Sequence, residues 1–130
     1  MAHGKPVDLI TARKRIRKFV DDEIKISKKP EKEIIVGHQF DLTLFKDFMI
    51  EIDRLLIQKV PIDSIRIYLA KSSRGKVIDG YDLVIVPTLE NGDDYHQVYD
   101  RPKTLGIDPL IIGESTPCPN VCNNKAVSCK

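Results

Sequence analysis

Hydrophobic and polar positions along the chain follow two periods, helical and strictly alternating, and these periods predict most of its elements. Leu9, Ala12, Ile16, Phe19 and Val20 recur at helical spacing and fill one arc of a helical wheel. Arg13, Lys14, Arg15, Arg17 and Lys18 take the opposite side, and Asp8 or Thr11 can cap the start. The spacing predicts an amphipathic helix of about a dozen residues with a basic outer face. The charge-rich stretch 21–33, which contains Pro30, reads as a loop. The β-branched run Ile34-Ile35-Val36 then predicts a short strand ending near His38 or Phe40.

Asp41 opens the clearest helix. Leu42, Phe45, Met49, Ile52 and Leu56 follow at steps of three and four, Phe48 and Leu55 widen that face, and Pro61 ends it. In residues 64–70 the order reverses to strict alternation. Ile65, Ile67 and Leu69 share one face, expected against the helices, and Arg66 and Tyr68 share the other. Residues 81–88 are almost continuously apolar, as in a central strand, with Pro87 near its end. Asn91-Gly92 is a hairpin signal, because both residue types accept positive φ, and 95–99 should return antiparallel. The segment 71–80, with Gly75 and Gly80, reads as the other hairpin connection. After Asp100 the pattern dissolves into prolines, glycines and polar residues, with Leu110-Ile111-Ile112 as an apolar triplet able to anchor it.

The expected fold is therefore α+β: a small, mostly antiparallel sheet covered on one face by two helices. The sheet is a three-stranded meander plus a short strand, and an irregular C-terminal tail follows. The expected organisation is one domain over residues 1–100 and a cysteine-bearing tail over 101–130. At 130 residues the chain suits one domain with its own core, and the absence of Trp leaves Ile, Leu and Val to fill it.

Charge changes the picture only slightly. The net value is +2, but residues 1–32 carry +5 and the remainder −3. The basic face of Arg13, Arg15, Arg17 and Lys18 could meet phosphate, yet no aromatic residues interleave with it as a base-stacking platform would require. Nucleic acid is accordingly the less favoured partner. No apolar run approaches the length of a signal peptide or a membrane span, and the expectation is a cytoplasmic protein.

Candidate chemistry is sparse. Cys118, Cys122 and Cys129 form a C-x3-C-x6-C tail that could bind zinc with a fourth ligand, His38, His96 or a residue of another chain. A disulfide and three unpaired thiols are the alternatives, and the thiols are the reading preferred, with no cofactor. Neither a nucleophile elbow nor a glycine-rich phosphate loop occurs, and Asp93-Asp94 is accounted for by the turn. No constellation fills the roles an enzyme needs. Arg66 and Tyr68, with Tyr99 as a neighbour on the open sheet face, are residue types enriched at protein interfaces.

Four features recur together in the second half: Ile65-Arg66-Ile67-Tyr68 in one strand, Leu83-Val84-Ile85-Val86 in the next, Asn91-Gly92-Asp93-Asp94, and Cys118-Pro119-Asn120-Val121-Cys122. As a set they resemble a group of small, uncharacterised bacterial α+β proteins with an IR-[IV]-Y strand, an LVLV-type strand, an N-G-x-D turn and a late C-P-x-x-C. That resemblance implies family membership and no activity. The functional expectation is a non-enzymatic interaction or structural module, binding a protein partner or itself through the open sheet face and the tail. The alternative is a small zinc-stabilised or nucleic-acid-associated accessory protein that uses the basic helix.

Overall fold

A computed structural model of the chain describes residues 3–71, 81–95, 110–119 and 127–128. Its elements run α1 (Leu9–Ser27), a 3-10 turn (Glu31–Glu33), β1 (Ile35–Gln39), α2 (Leu42–Ile57), β2 (Ile62–Lys71), β3 (Tyr81–Leu89) and β4 (Thr116–Pro119). Contacts gather the chain into two units, residues 1–39 with 117–130, and residues 40–116.

In the first unit α1 runs 19 residues, well past the dozen expected. The Asp8 carboxylate caps it by accepting the Thr11 N–H at 2.7 Å. Residues 21–27, expected as loop, continue the helix. Arg17 reaches Asp21 at 3.3 Å and Lys18 reaches Asp22 at 3.2 Å, so the charges that suggested a loop pair one turn apart along the helix. Lys28, in the left-handed region at φ 60°, then ends it two residues before Pro30. Val20 is the residue of α1 that is fully buried. β1 pairs with β4, so residues 116–119 of the expected irregular tail lie in a two-stranded sheet.

The second unit holds the main core. Phe48, Ile52 and Leu55 of α2 cluster with Ile85, Tyr95, Leu110 and Ile112, and Phe40, Phe45, Val60, Ile62 and Leu89 pack around them. The helix is turned from the expected face: Met49 and Leu56 stay exposed, while Phe48 and Leu55 are buried. Apolar residues cover well over half of the circumference of α2, and the stripe carrying Phe48 fills the core with an aromatic ring that Met49 cannot match. The C-terminus of α2 is a left-handed cap. Lys59, at φ 68°, donates its N–H to the Leu56 carbonyl, and the Val60 N–H bonds the Leu55 carbonyl at 3.0 Å.

β2 and β3 pair antiparallel as expected, with Ile67 opposite Ile85 and a bulge between Ile62 and Ser64. Among the described residues the third strand of the expected meander is not shown. Of residues 95–99 only Tyr95 is described, and Asp94 meets β3 at an isolated bridge with Thr88. The connection 72–80 also lies outside the described residues. At the Asn91-Gly92 turn Gly92 alone takes positive φ, at 93°, and Asn91 instead accepts the Asp93 N–H on its side chain. Ile112 forms an antiparallel bridge with Ile85 on the edge of β3 away from β2. Asp82 ties the segment around Ser115 to the same strand. Its carboxylate accepts the N–H groups of Leu83, Glu114 and Ser115, each at 2.8 Å, and the Ser115 hydroxyl.

Pro87 sits within β3 without breaking its pairing to β2. Its carbonyl accepts the Tyr95 N–H, so its backbone polar side faces away from β2. The donor that proline lacks is therefore missing from the other edge, and the β2 ladder is intact.

Candidate functional site

The face of β2 and β3 that carries Arg66 and Tyr68 was expected to be open, and these two side chains were expected to await a partner. They are instead engaged within the unit. Arg66 donates through Nη1 to Asp94 Oδ1 at 2.7 Å and to the Tyr68 hydroxyl oxygen at 3.2 Å, and through Nη2 to the Gly92 carbonyl at 3.1 Å. The Tyr68 hydroxyl donates in turn to Asp94 Oδ2. The hydrogen bond to Tyr68 first, and then the charge of Asp94, hold the Arg66 guanidinium above its usual value.

The strand register explains how residues so far apart in sequence meet. Arg66 lies opposite Val86, Ser64 lies opposite Thr88, and Thr88 lies opposite Asp94, so all share one face. Arg66 must span β3 to reach Asp94, and Val86 and Thr88 beneath that span are buried. Thr88 Oγ1 has no hydrogen-bond partner among the described residues. The cluster thus closes the hairpin over β3, with its donors and acceptors spent on one another. Sequence reasoning assigned Asp94 to the turn alone; a two-residue Asn91-Gly92 hairpin would set it opposite Leu89, and the wider turn over 89–93 is what brings it opposite Thr88, within reach of Arg66.

The other face carries a feature the sequence reading placed in the core. Ile65, Ile67 and Leu69 point to the side of Ile85, as expected, but they are 43%, 56% and 87% exposed. In a sheet of two strands the core forms around Ile85, and β2 has no further strand beside it among the described residues. The result is a ten-residue edge strand with three alternate apolar side chains in solvent.

The remaining expected sites are scattered. Arg13, Arg15 and Lys18 are exposed on α1, whereas Arg17 is half-buried and turned into the first unit. Arg17 donates to Glu31 at 2.8 Å and to the Ser128 carbonyl at 3.4 Å, so it leaves the basic face and its charge is met by Glu31 and Asp21. Cys118 is half-buried in β4. Cys122, Cys129, His96 and Tyr99 lie outside the described residues. Among the described residues no three His, Cys, Asp or Glu side chains stand together as metal ligands would, and no helix is long and apolar enough to cross a membrane. No family model matches the chain, and neither a curated protein nor a solved structure does.

Proposed function

We propose that this chain is a non-enzymatic association module that binds a protein, another chain or its own kind, along the outer edge of β2. One observation carries the reading: Ile65, Ile67 and Leu69 stand in solvent on a strand with no neighbour beyond it among the described residues. Folded proteins blunt such edges with short strands, prolines or charges facing the core. β2 has none of these over its central five residues, where Arg66 is turned to the opposite face and fixed to Asp94. An added strand would take its hydrogen bonds from the edge backbone and its specificity from the alternate side chains. Arg66 and Tyr68 then act as the brace that keeps β2 straight rather than as the contact itself.

The test is site-specific photo-crosslinking in the native cell. A photoreactive residue at position 69 should give a discrete protein adduct, and one at the exposed position 53 of α2 should not. Equal labelling from both positions would refute the reading.

A further inference from the structure

We propose that the strand received by β2 is the β2 of a second copy, antiparallel and related by a two-fold axis through Ile67. The proposal rests on the association reading above and names its partner.

Its first support is the direction of the backbone groups. The Ile85 N–H and C=O are both taken by Ile112, at 2.8 and 3.0 Å, on the edge away from β2. Ile67, opposite Ile85, is therefore in a non-hydrogen-bonded pair and turns its own N–H and C=O to the free edge. The same alternation turns out the groups of Ile65 and Leu69, since the Pro87 carbonyl opposite Ile65 is taken by Tyr95. The three residues with solvent-exposed apolar side chains are thus among those that offer backbone hydrogen bonds to the free edge.

The second support is the side-chain register. A two-fold axis normal to the sheet keeps each side chain on its own face only if one residue sits opposite itself. Centred on Ile67, the register sets Ile65 against the other copy's Leu69, Arg66 against its Tyr68 and Ser64 against its Ala70, while Asp63 stands in the bulge, outside this alternation. Ile67 meets itself. Ile65, Ile67 and Leu69 then each meet an apolar residue. A register centred on Arg66 would oppose two guanidinium groups and leave Leu69 against the bulge at Asp63. One centred on Tyr68 would set Ile65 against Lys71. The sequence of β2 is self-complementary in the Ile67 register and in neither neighbour. Association joins two two-stranded sheets into one of four strands, ordered β3-β2-β2-β3.

Sedimentation equilibrium of the full chain over a range of concentrations should report a reversible dimer. Leu69→Lys sets lysine against Ile65 on both sides of the axis and should weaken the dimer by roughly tenfold. Adding Ile65→Asp to the same chain should restore it. Ile67→Asp places two carboxylates on the axis and should leave a monomer whose circular dichroism matches the wild type, since the side chain stands in solvent. A wild-type chain that stays monomeric, or a double variant no tighter than Leu69→Lys alone, overturns the proposal. A monomer that is still crosslinked from position 69 to a different protein overturns self-pairing while leaving the association reading in place.

Discussion

Asp82 offers the sharpest test of how the second unit is held together. Its carboxylate collects four donors, three backbone N–H groups and the Ser115 hydroxyl. Burial raises the carboxyl, but the bonds from Ser115, Glu114 and Leu83 outweigh it and bring the group from 3.8 to about 2. Replacement by alanine leaves Leu83 and Glu114 able to turn to water. Ser115 is 2% exposed and cannot, so its N–H bears the loss. At about 1–3 kcal/mol for a buried donor that loses its acceptor, Asp82→Ala should cost roughly 2 kcal/mol, a large part of a small domain's stability. The sign of the pH dependence follows from a folded value below the unfolded one. The stabilisation is fully present above the unfolded value and is lost as pH falls from about 5 through about 2. Its size is about 2 kcal/mol at most, since solvent screens part of the interaction. Urea denaturation followed by circular dichroism at pH 7, 4 and 2, on wild type and Asp82→Asn, provides the measurement. The gap between the two should close with acid, because the asparagine has no charge to lose. A gap that stays constant across that range would refute the assignment.

Other expectations follow from the core, the helix ends and the hairpin cluster. Phe48→Ala should cost about 3–5 kcal/mol and Met49→Ala under about 1 in the same denaturation assay; the reverse order would return α2 to the face expected from its spacing. Lys59→Gly should stabilise by roughly 0.5–1 kcal/mol, because a left-handed position at φ 68° no longer carries a side chain. Thermal melts of Arg66→Met, Asp94→Asn and the double variant should show a non-additive cycle, with the second change costing little once the first is made. Additive shifts would mean that the two side chains do not act as a pair.

Local period fixed the existence of most elements, and distant pairing fixed what they do. The steps of three and four from Phe45 to Leu55 made α2 plain, yet two adjacent apolar stripes fitted the same arc, and the choice between them depended on ring volume in a core assembled from Ile85, Leu110 and Ile112. The charges in 21–27 concealed a helix because their partners, Arg17 and Lys18, lie in the preceding turn. Alternation in β2 gave the strand and the side of the sheet that Ile67 occupies. It could not give exposure, which depends on how many strands lie alongside. The pairing of β1 with β4 joins segments far apart in sequence with no shared local signal. At the candidate site the sequence supplied Arg66 and Tyr68 as notable residues. Their hydrogen bonds to Asp94 depend on the register set by the turn over residues 89–93.

The tie between Asp82 and Ser115 also has a mechanical meaning. Residues 113–115 stand between the buried Leu110 and Ile112 and everything that follows Thr116. A pull applied to the chain beyond Thr116 reaches the Asp82 hydrogen bonds before it loads the bridge between Ile112 and Ile85. The carboxylate therefore acts as a strain relief, and acid, by protonating it, would move the first point of yield inward to the apolar core.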